Sequence, residues 1–130
     1  MSIRLDMIGI VVHDMERSVA FYRALGLEIP DGDGSPYHEV ALDGGVRLSW
    51  NHIDMVKQID PDWTAPTGYR MGLAFLCDSV ADVDARFASV IAAGFESHKQ
   101  PWDAFWGQRY AQVLDPDGNI VDLFAPLPTE

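Results

Sequence analysis

The chain has 130 residues, 48% of them hydrophobic, which suits one domain with a packed core. Its 20 acidic and 9 basic residues give a formal net charge of −11, which argues against the basic face that nucleic acid or an anionic membrane requires. Cys77 is the only cysteine, so no intrachain disulfide forms. No stretch approaches the length of a membrane span and no signal peptide is recognisable, so we expect a cytoplasmic protein.

The first half of the chain begins with an apolar strand and a capped helix. The segment Ile3–Val12 is almost continuously apolar in its second half, which predicts a strand covered on both faces. Asp14 is a suitable N-cap for the helix that follows, and Gly26 provides its left-handed exit. A hairpin is then predicted over residues 37–51, around an Asp-Gly turn.

The second half repeats this order of elements. An apolar strand over residues 71–76 leads into a helix that Ser79 caps and Gly94 ends. Residues 99–106 are rich in aromatic side chains and predict a strand with a loop, and residues 109–124 predict a last hairpin. The two halves therefore share one pattern, which is a strand, a helix and three further strands.

This repetition predicts an α+β fold of two tandem βαβββ modules. We assign residues 3–53 to module one, 54–68 to a connector with a short helix near Met55–Ile59, and 69–126 to module two, all within one domain. Sequential pairing of strands gives two curved mixed sheets side by side, with a cavity between the modules.

Two motifs point to a known family. Residues 14–22 read Asp-Met-Glu-Arg-Ser-Val-Ala-Phe-Tyr and are followed by Leu25-Gly26; residues 115–119 read Asp-Pro-Asp-Gly-Asn and are followed by Val121-Asp122-Leu123. Both resemble motifs of the vicinal oxygen chelate superfamily, which includes glyoxalase I, bleomycin-resistance proteins, fosfomycin-resistance enzymes and extradiol dioxygenases. The likeness runs over essentially the whole chain, and it implies the glyoxalase/bleomycin-resistance/dioxygenase-like fold.

Enzymes of this superfamily place metal ligands, mostly His and Glu, on the first and last strand of each module. The resemblance carries these positions onto Met7, Met71, Asp122 and a residue near Arg47. Two thioethers, one carboxylate and a guanidinium do not suit zinc, iron, manganese or nickel. We therefore expect no metal and no other cofactor, which puts metal-dependent glyoxalase, fosfomycin-transferase and dioxygenase activities in doubt.

Strand alternation predicts which side chains line the cavity. Glu39 and Asp122 are candidate general bases, and Arg47 is a candidate anchor for a substrate carboxylate or enolate. The ligand-binding candidates are Met7, Tyr37, Ser49, Asn51, Met71, Leu73, Trp102, Trp106, Tyr110 and Gln112. Two alternatives stay open, because Glu39 and Arg47 can form a purely structural ion pair and the methionines can simply pack.

The segment around Trp102 is a second candidate surface. Trp102, Phe105 and Trp106 can stack on a planar ligand, while Asp103 meets a cationic group. The alternative is a loop fixed to its own core or to a dimer partner.

The leading hypothesis is a metal-free small-molecule-binding protein that resembles the bleomycin- and mitomycin-resistance proteins. It holds a planar or cationic ligand in a cavity, and the resemblance implies a homodimer. The alternative is an enzyme, a lyase or isomerase of the glyoxalase type, that uses a cavity carboxylate or a divalent metal. A third class, a regulatory or interaction module without a ligand, is disfavoured because polar groups buried without a partner are costly.

Overall fold

A computed structural model describes residues 2–68 and 71–129 of the chain. Its elements, in order, are β1 (Met7–Val12), α1 (Met15–Leu25), β2 (Tyr37–Ala41), β3 (Arg47–His52), α2 (Ile53–Ile59), β4 (Leu73–Leu76), α3 (Val80–Ala92), β5 (Glu96–Ala104), β6 (Gln108–Leu114) and β7 (Ile120–Pro126). The predicted α+β class with two sheets is confirmed, and α2 confirms the short helix in the connector. Tyr69, where module two was predicted to begin, lies outside the described residues.

The chain divides into two compact units. The first unit contains the residues up to Val19 together with Glu28–Pro66, and the second contains Ala20–Leu27 together with the chain from Thr67 onward. The last turns of α1 therefore belong with the second unit, although the sequence assigned the whole helix to module one.

The sheet of the first unit has the order β1-β3-β2, with β1 parallel and β2 antiparallel to β3. It contains three strands where the sequence predicted four. Residues 27–36 add no strand, because Pro30 and Pro36 lack the N–H that a ladder needs and glycines interrupt the segment between them. The sheet buries Leu48 and Trp50 of its central strand.

Both long helices begin as their sequences predict. The Asp14 carboxylate accepts a hydrogen bond from the backbone N–H of Arg17 at 3.0 Å, and the Ser79 hydroxyl accepts one from Asp82 N–H at 3.1 Å. Such caps satisfy N–H groups that have no partner inside the helix. At Gly26 the backbone has a φ of 116°, which only glycine adopts without strain, so α1 ends there.

The sheet of the second unit has the order β4-β7-β6-β5, in which β4 runs parallel to β7 and the other pairs are antiparallel. Helix α3 packs on β5, β6 and β7 and buries Val83 and Val90 against them.

Cys77 is buried, and its burial raises the pKa of the thiol, as expected for a structural residue. In the described part of the chain, no helix has the length and apolar character needed to cross a bilayer.

A buried hydrogen bond connects the two sequence motifs inside the second unit. The Tyr22 hydroxyl, near the end of the first motif, donates to Asp115 Oδ2 at 2.8 Å. The same carboxylate accepts the backbone N–H groups of Asp117 and Asn119, at 3.0 and 2.8 Å. Burial, together with the neighbouring carboxylate, raises the pKa of Tyr22. These motif residues therefore stabilise the fold.

Candidate functional site

One face of the first sheet carries the polar side chains predicted for it. The register pairs Met7 with Arg47 and Glu39 with Ser49, and directly paired residues point to the same face. Gly9 lies on this face too, because a Cβ there would come within 3.2 Å of Asn51 Nδ2 and 3.3 Å of Ser49 Oγ. The face assignment in the first unit is confirmed, while ligand binding by these residues stays a prediction.

On this face Arg47 lies between two carboxylates. Its guanidinium donates to Glu39 Oε2 and, at 2.6 Å, to Asp6 Oδ2. The Asp6 interaction lowers the pKa of that carboxyl and raises the pKa of Arg47. Tyr37 OH also donates to Glu39 Oε2, at 2.8 Å, and its oxygen lies 3.2 Å from Met7 Sδ. The side chains on this face thus satisfy one another, which favours the structural interpretation of the Glu39–Arg47 pair.

Asp6 was not identified from the sequence as part of this group. It precedes β1 and is not in a strand, so strand alternation assigns it no face. The one sequence feature that could have identified Asp6 is its negative charge next to β1, which complements the positive charge of Arg47 at the start of the paired strand.

In the second unit, the Asp122 carboxylate is fixed by two donors. Tyr110 OH donates to its Oδ2 at 2.6 Å and Gln112 Nε2 donates to its Oδ1 at 3.0 Å. The register of β6 and β7 pairs Gln112 with Asp122 and Tyr110 with Phe124, so all four share one face. The structure therefore brings two predicted site residues, Tyr110 and Gln112, into contact with a third, Asp122.

The predicted face of Leu73 is wrong. Leu73 pairs with Val121, a buried residue. Val121 precedes Asp122 in the strand, so Val121 and Leu73 point to the opposite face of the sheet from Asp122. It is Ala74 that pairs with Asp122, so Ala74 shares that face instead. Met71 precedes the strand and is 72% exposed. The prediction fails because the segment is apolar throughout, so its composition did not distinguish the two faces.

Three aromatic side chains pack around Tyr110, which contacts Asp122, and we call the four residues the aromatic cluster: Trp102, Trp106, Tyr110 and Phe124. Tyr110 has its ring centroid 5.5 Å from that of Trp102, 5.4 Å from that of Trp106 and 5.9 Å from that of Phe124. Trp106 is 48% exposed, and its indole N–H donates to Gln108 Oε1 at 2.7 Å. The cluster thus combines accessible aromatic surface with satisfied polar groups.

Asp103 is not the acidic partner of these rings. It pairs in register with Arg109, one position along from the Trp102–Tyr110 pair, so it points to the other face. There it accepts a hydrogen bond from Arg109 Nη1 at 3.1 Å. Phe105 lies in the turn after β5 and is 97% exposed. The carboxylate that accompanies the aromatic cluster is therefore Asp122.

The sequence also gave no indication that Lys99 belongs to this face. Its Nζ lies over the Trp102 ring, 4.0 Å from the centroid. Simple alternation places Lys99 and Trp102 on opposite faces, but the β5–β6 register shifts between them. Such a bulge reverses the alternation, and Pro101, which has no N–H for the ladder, lies inside it.

The residues at the family's metal-ligand positions do not fit a metal. Arg47 brings a positive charge that is paired with two carboxylates, and the Met7 thioether lies 3.2 Å from the Tyr37 hydroxyl. Asp122 supplies the only carboxylate of the set, and it is already bonded to Tyr110. Within residues 2–68 and 71–129, no three His, Cys, Asp or Glu side chains come together as a possible metal site. That the protein holds no metal stays a prediction, which rests on the softness and charge of these side chains.

Comparison with known proteins decides the family. The model of the Glyoxalase/Bleomycin resistance protein/Dioxygenase superfamily matches residues 4–123. The chain belongs to this superfamily. One curated relative is the uncharacterised protein YraH of Bacillus subtilis, which is 24% identical over 127 residues, 95% of this chain and 99% of the relative. The uncharacterised protein Mb0911c of Mycobacterium bovis is 28% identical over 123 residues, 91% of this chain and 80% of the relative.

Solved structures confirm the superfamily fold. A glyoxalase/bleomycin resistance protein/dioxygenase family enzyme from Burkholderia phytofirmans superimposes with a TM-score of 0.82 at 22% identity, covering 94% of this chain and 98% of the other. A lactoylglutathione lyase from Agrobacterium tumefaciens superimposes with a TM-score of 0.69 at 19% identity, covering 94% and 92%. At this level of identity the likeness concerns the fold alone.

Proposed function

We propose that this superfamily member is a metal-free small-molecule-binding protein, and that it takes a planar or cationic ligand at the aromatic cluster. The observation that carries the proposal is the contact between that cluster and a fixed carboxylate, Asp122. Aromatic faces attract cations and stack on flat groups, and a carboxylate adds charge complementarity. The net charge of −11 also favours a cationic ligand over an anionic one.

The contacts of the first unit support binding over catalysis. In the alternative function, a lyase or isomerase, Glu39 acts as general base while Arg47 anchors a substrate carboxylate or enolate. In the structure Glu39 and Arg47 form an ion pair with each other, and Asp6 forms a second ion pair with Arg47. A substrate anion would have to displace one of these carboxylates before Arg47 received it. The predicted homodimer remains part of the proposal, and it rests on the family resemblance alone.

A thermal-shift screen of planar and cationic compounds tests the proposed function. We expect at least one compound to raise the melting temperature of the wild type, and we expect Trp106→Ala to reduce that shift, because it removes a half-exposed ring of the cluster. Trp63→Ala is the matched control, since it removes a tryptophan from the first unit. If no compound stabilises the wild type, or if both variants retain the full shift, the proposal is wrong.

A further inference from the structure

We propose that the turn between β2 and β3 is a site of slow self-modification, at which Asp43 isomerises to isoaspartate through a cyclic imide formed with Gly44. This modification needs no ligand and is independent of the proposed function. The chain contains four Asp-Gly dipeptides, and the structure holds their reacting groups in different ways: Asp31-Gly32, Asp33-Gly34, Asp43-Gly44 and Asp117-Gly118.

The reaction joins an aspartate side chain to the backbone nitrogen of the next residue. That nitrogen attacks the carboxyl carbon Cγ, and its proton leaves with one carboxyl oxygen as water, so a cyclic imide forms. Water then adds to one imide carbonyl carbon and breaks the bond from that carbon to the nitrogen. Opening at the backbone carbonyl leaves isoaspartate, whose main chain passes through Cβ and Cγ. A following glycine favours ring closure because it has no Cβ to obstruct the approach.

At the turn between β2 and β3, both reacting groups are accessible. Asp43, Gly44 and Gly45 are all exposed, and a Cβ placed on Gly44 would meet no atom within 4 Å. The bond that closes the turn runs from Gly45 N–H to Leu42 O, at 3.2 Å, so it does not use the Gly44 nitrogen. Within the part of the chain that the structure describes, neither the Asp43 carboxylate nor the Gly44 N–H has a hydrogen-bond partner.

The Asp117-Gly118 dipeptide is held in the opposite way. Gly118 N–H donates to the Asp115 carbonyl at 3.0 Å, and Asp117 N–H donates to Asp115 Oδ1 at 3.0 Å. Oδ2 of the Asp117 carboxylate is buried. Ring closure would require the nitrogen of Gly118 to give up its hydrogen bond and the buried carboxylate to turn. The folded structure therefore protects this dipeptide.

The two dipeptides within residues 31–34 are restrained by other contacts. Asp33 Oδ1 accepts a hydrogen bond from Ser35 N–H at 2.9 Å, which fixes that carboxylate toward Ser35. Gly32 lies against a ring, because a Cβ there would come within 3.5 Å of His38 Nδ1. These contacts oppose the rotation and bending that ring closure needs, so both dipeptides should react more slowly than Asp43.

Isomerisation leaves a chemically distinct carboxylate on the exposed turn. One water leaves and one enters, so the mass of the chain is unchanged, and the net charge of −11 is kept because the carboxylate becomes the α-carboxylate of residue 43. This group is a substrate for an isoaspartyl carboxyl methyltransferase, which transfers a methyl group from a sulfonium donor to a carboxylate oxygen. The exposure of Asp43, Gly44 and Gly45 makes it accessible to such an enzyme.

Incubation of the intact chain in water labelled with heavy oxygen tests the proposal. Each opening of the imide adds one labelled oxygen at the residue that reacted, and digestion in ordinary water followed by mass spectrometry locates it. We expect the peptide with Asp43 to gain label about tenfold faster than the peptide with Asp117, because two hydrogen bonds hold the latter site. An isoaspartyl carboxyl methyltransferase should methylate the peptide with residue 43.

Two variants and a denatured sample provide the controls. Asp43→Glu should abolish labelling at the turn, because the longer side chain closes an imide far more slowly, while Asp33→Glu should leave labelling at Asp43 unchanged. In urea the contacts that protect Asp117 are lost, so the ratio of the rates at Asp43 and Asp117 should fall toward one. The proposal is wrong if Asp43 gains no label, if it gains label no faster than Asp117, or if denaturation leaves that ratio unchanged.

Discussion

Replacing Asp115 with alanine is expected to lower the free energy of unfolding by about 3 kcal/mol or more. The carboxylate is buried and accepts hydrogen bonds from Tyr22 OH and from the backbone N–H and side-chain amide of Asn119. Alanine leaves these donors without an acceptor, including the buried hydroxyl of Tyr22. Thermal denaturation should show a melting temperature lower by roughly 10 °C for a domain of this size.

The matched control for this prediction is Asp43→Ala. Asp43 also lies in an Asp-Gly turn, but it is exposed, so its replacement should change the free energy of unfolding by only about 0.5 kcal/mol. A loss of stability for Asp115→Ala that is no larger than the control's would contradict the structural role assigned to the second motif.

Replacing Asp122 with asparagine is expected to weaken binding of a cationic ligand by roughly tenfold to a hundredfold, the usual cost of losing a charged partner. Asparagine keeps the size of the side chain and one oxygen for Tyr110, so the fold should be retained. The dissociation constant, measured by calorimetry with a compound identified in the screen, provides the test. Unchanged affinity would remove Asp122 from the binding site.

The same variant separates the two candidate functions. If Asp122 is a general base, asparagine abolishes turnover of a substrate while leaving its binding intact. If Asp122 is a binding group, the affinity itself decreases. Asp103→Asn is the control, because it removes an equal charge from β5 on the face that carries Arg109.

The sequence predicted much of the fold through local signals. Asp14 and Ser79 cap helices as expected, since capping depends on residues only a few positions away. Strand alternation also placed Glu39 and Arg47 correctly, because polar and apolar residues alternate along that hairpin. Local periodicity was therefore sufficient where the two faces differ in polarity.

The remaining features depend on the register between strands and on pairing over long distances in the sequence. Leu73 was assigned to the wrong face because its strand is apolar on both sides. Lys99 was missed because a bulge reverses the alternation in β5. The bond between Tyr22 and Asp115 joins residues 93 positions apart, and no local pattern predicts it.

The central claim is that ligand binding in this superfamily member does not use a metal. The most direct test is the metal content per chain, determined by elemental mass spectrometry on protein purified without chelator and without metal-affinity chromatography. The donor set of Met7, Arg47 and Asp122 predicts no transition metal near one atom per chain. Near-stoichiometric zinc, nickel, manganese or iron would contradict the account and would direct attention to lyase and dioxygenase assays.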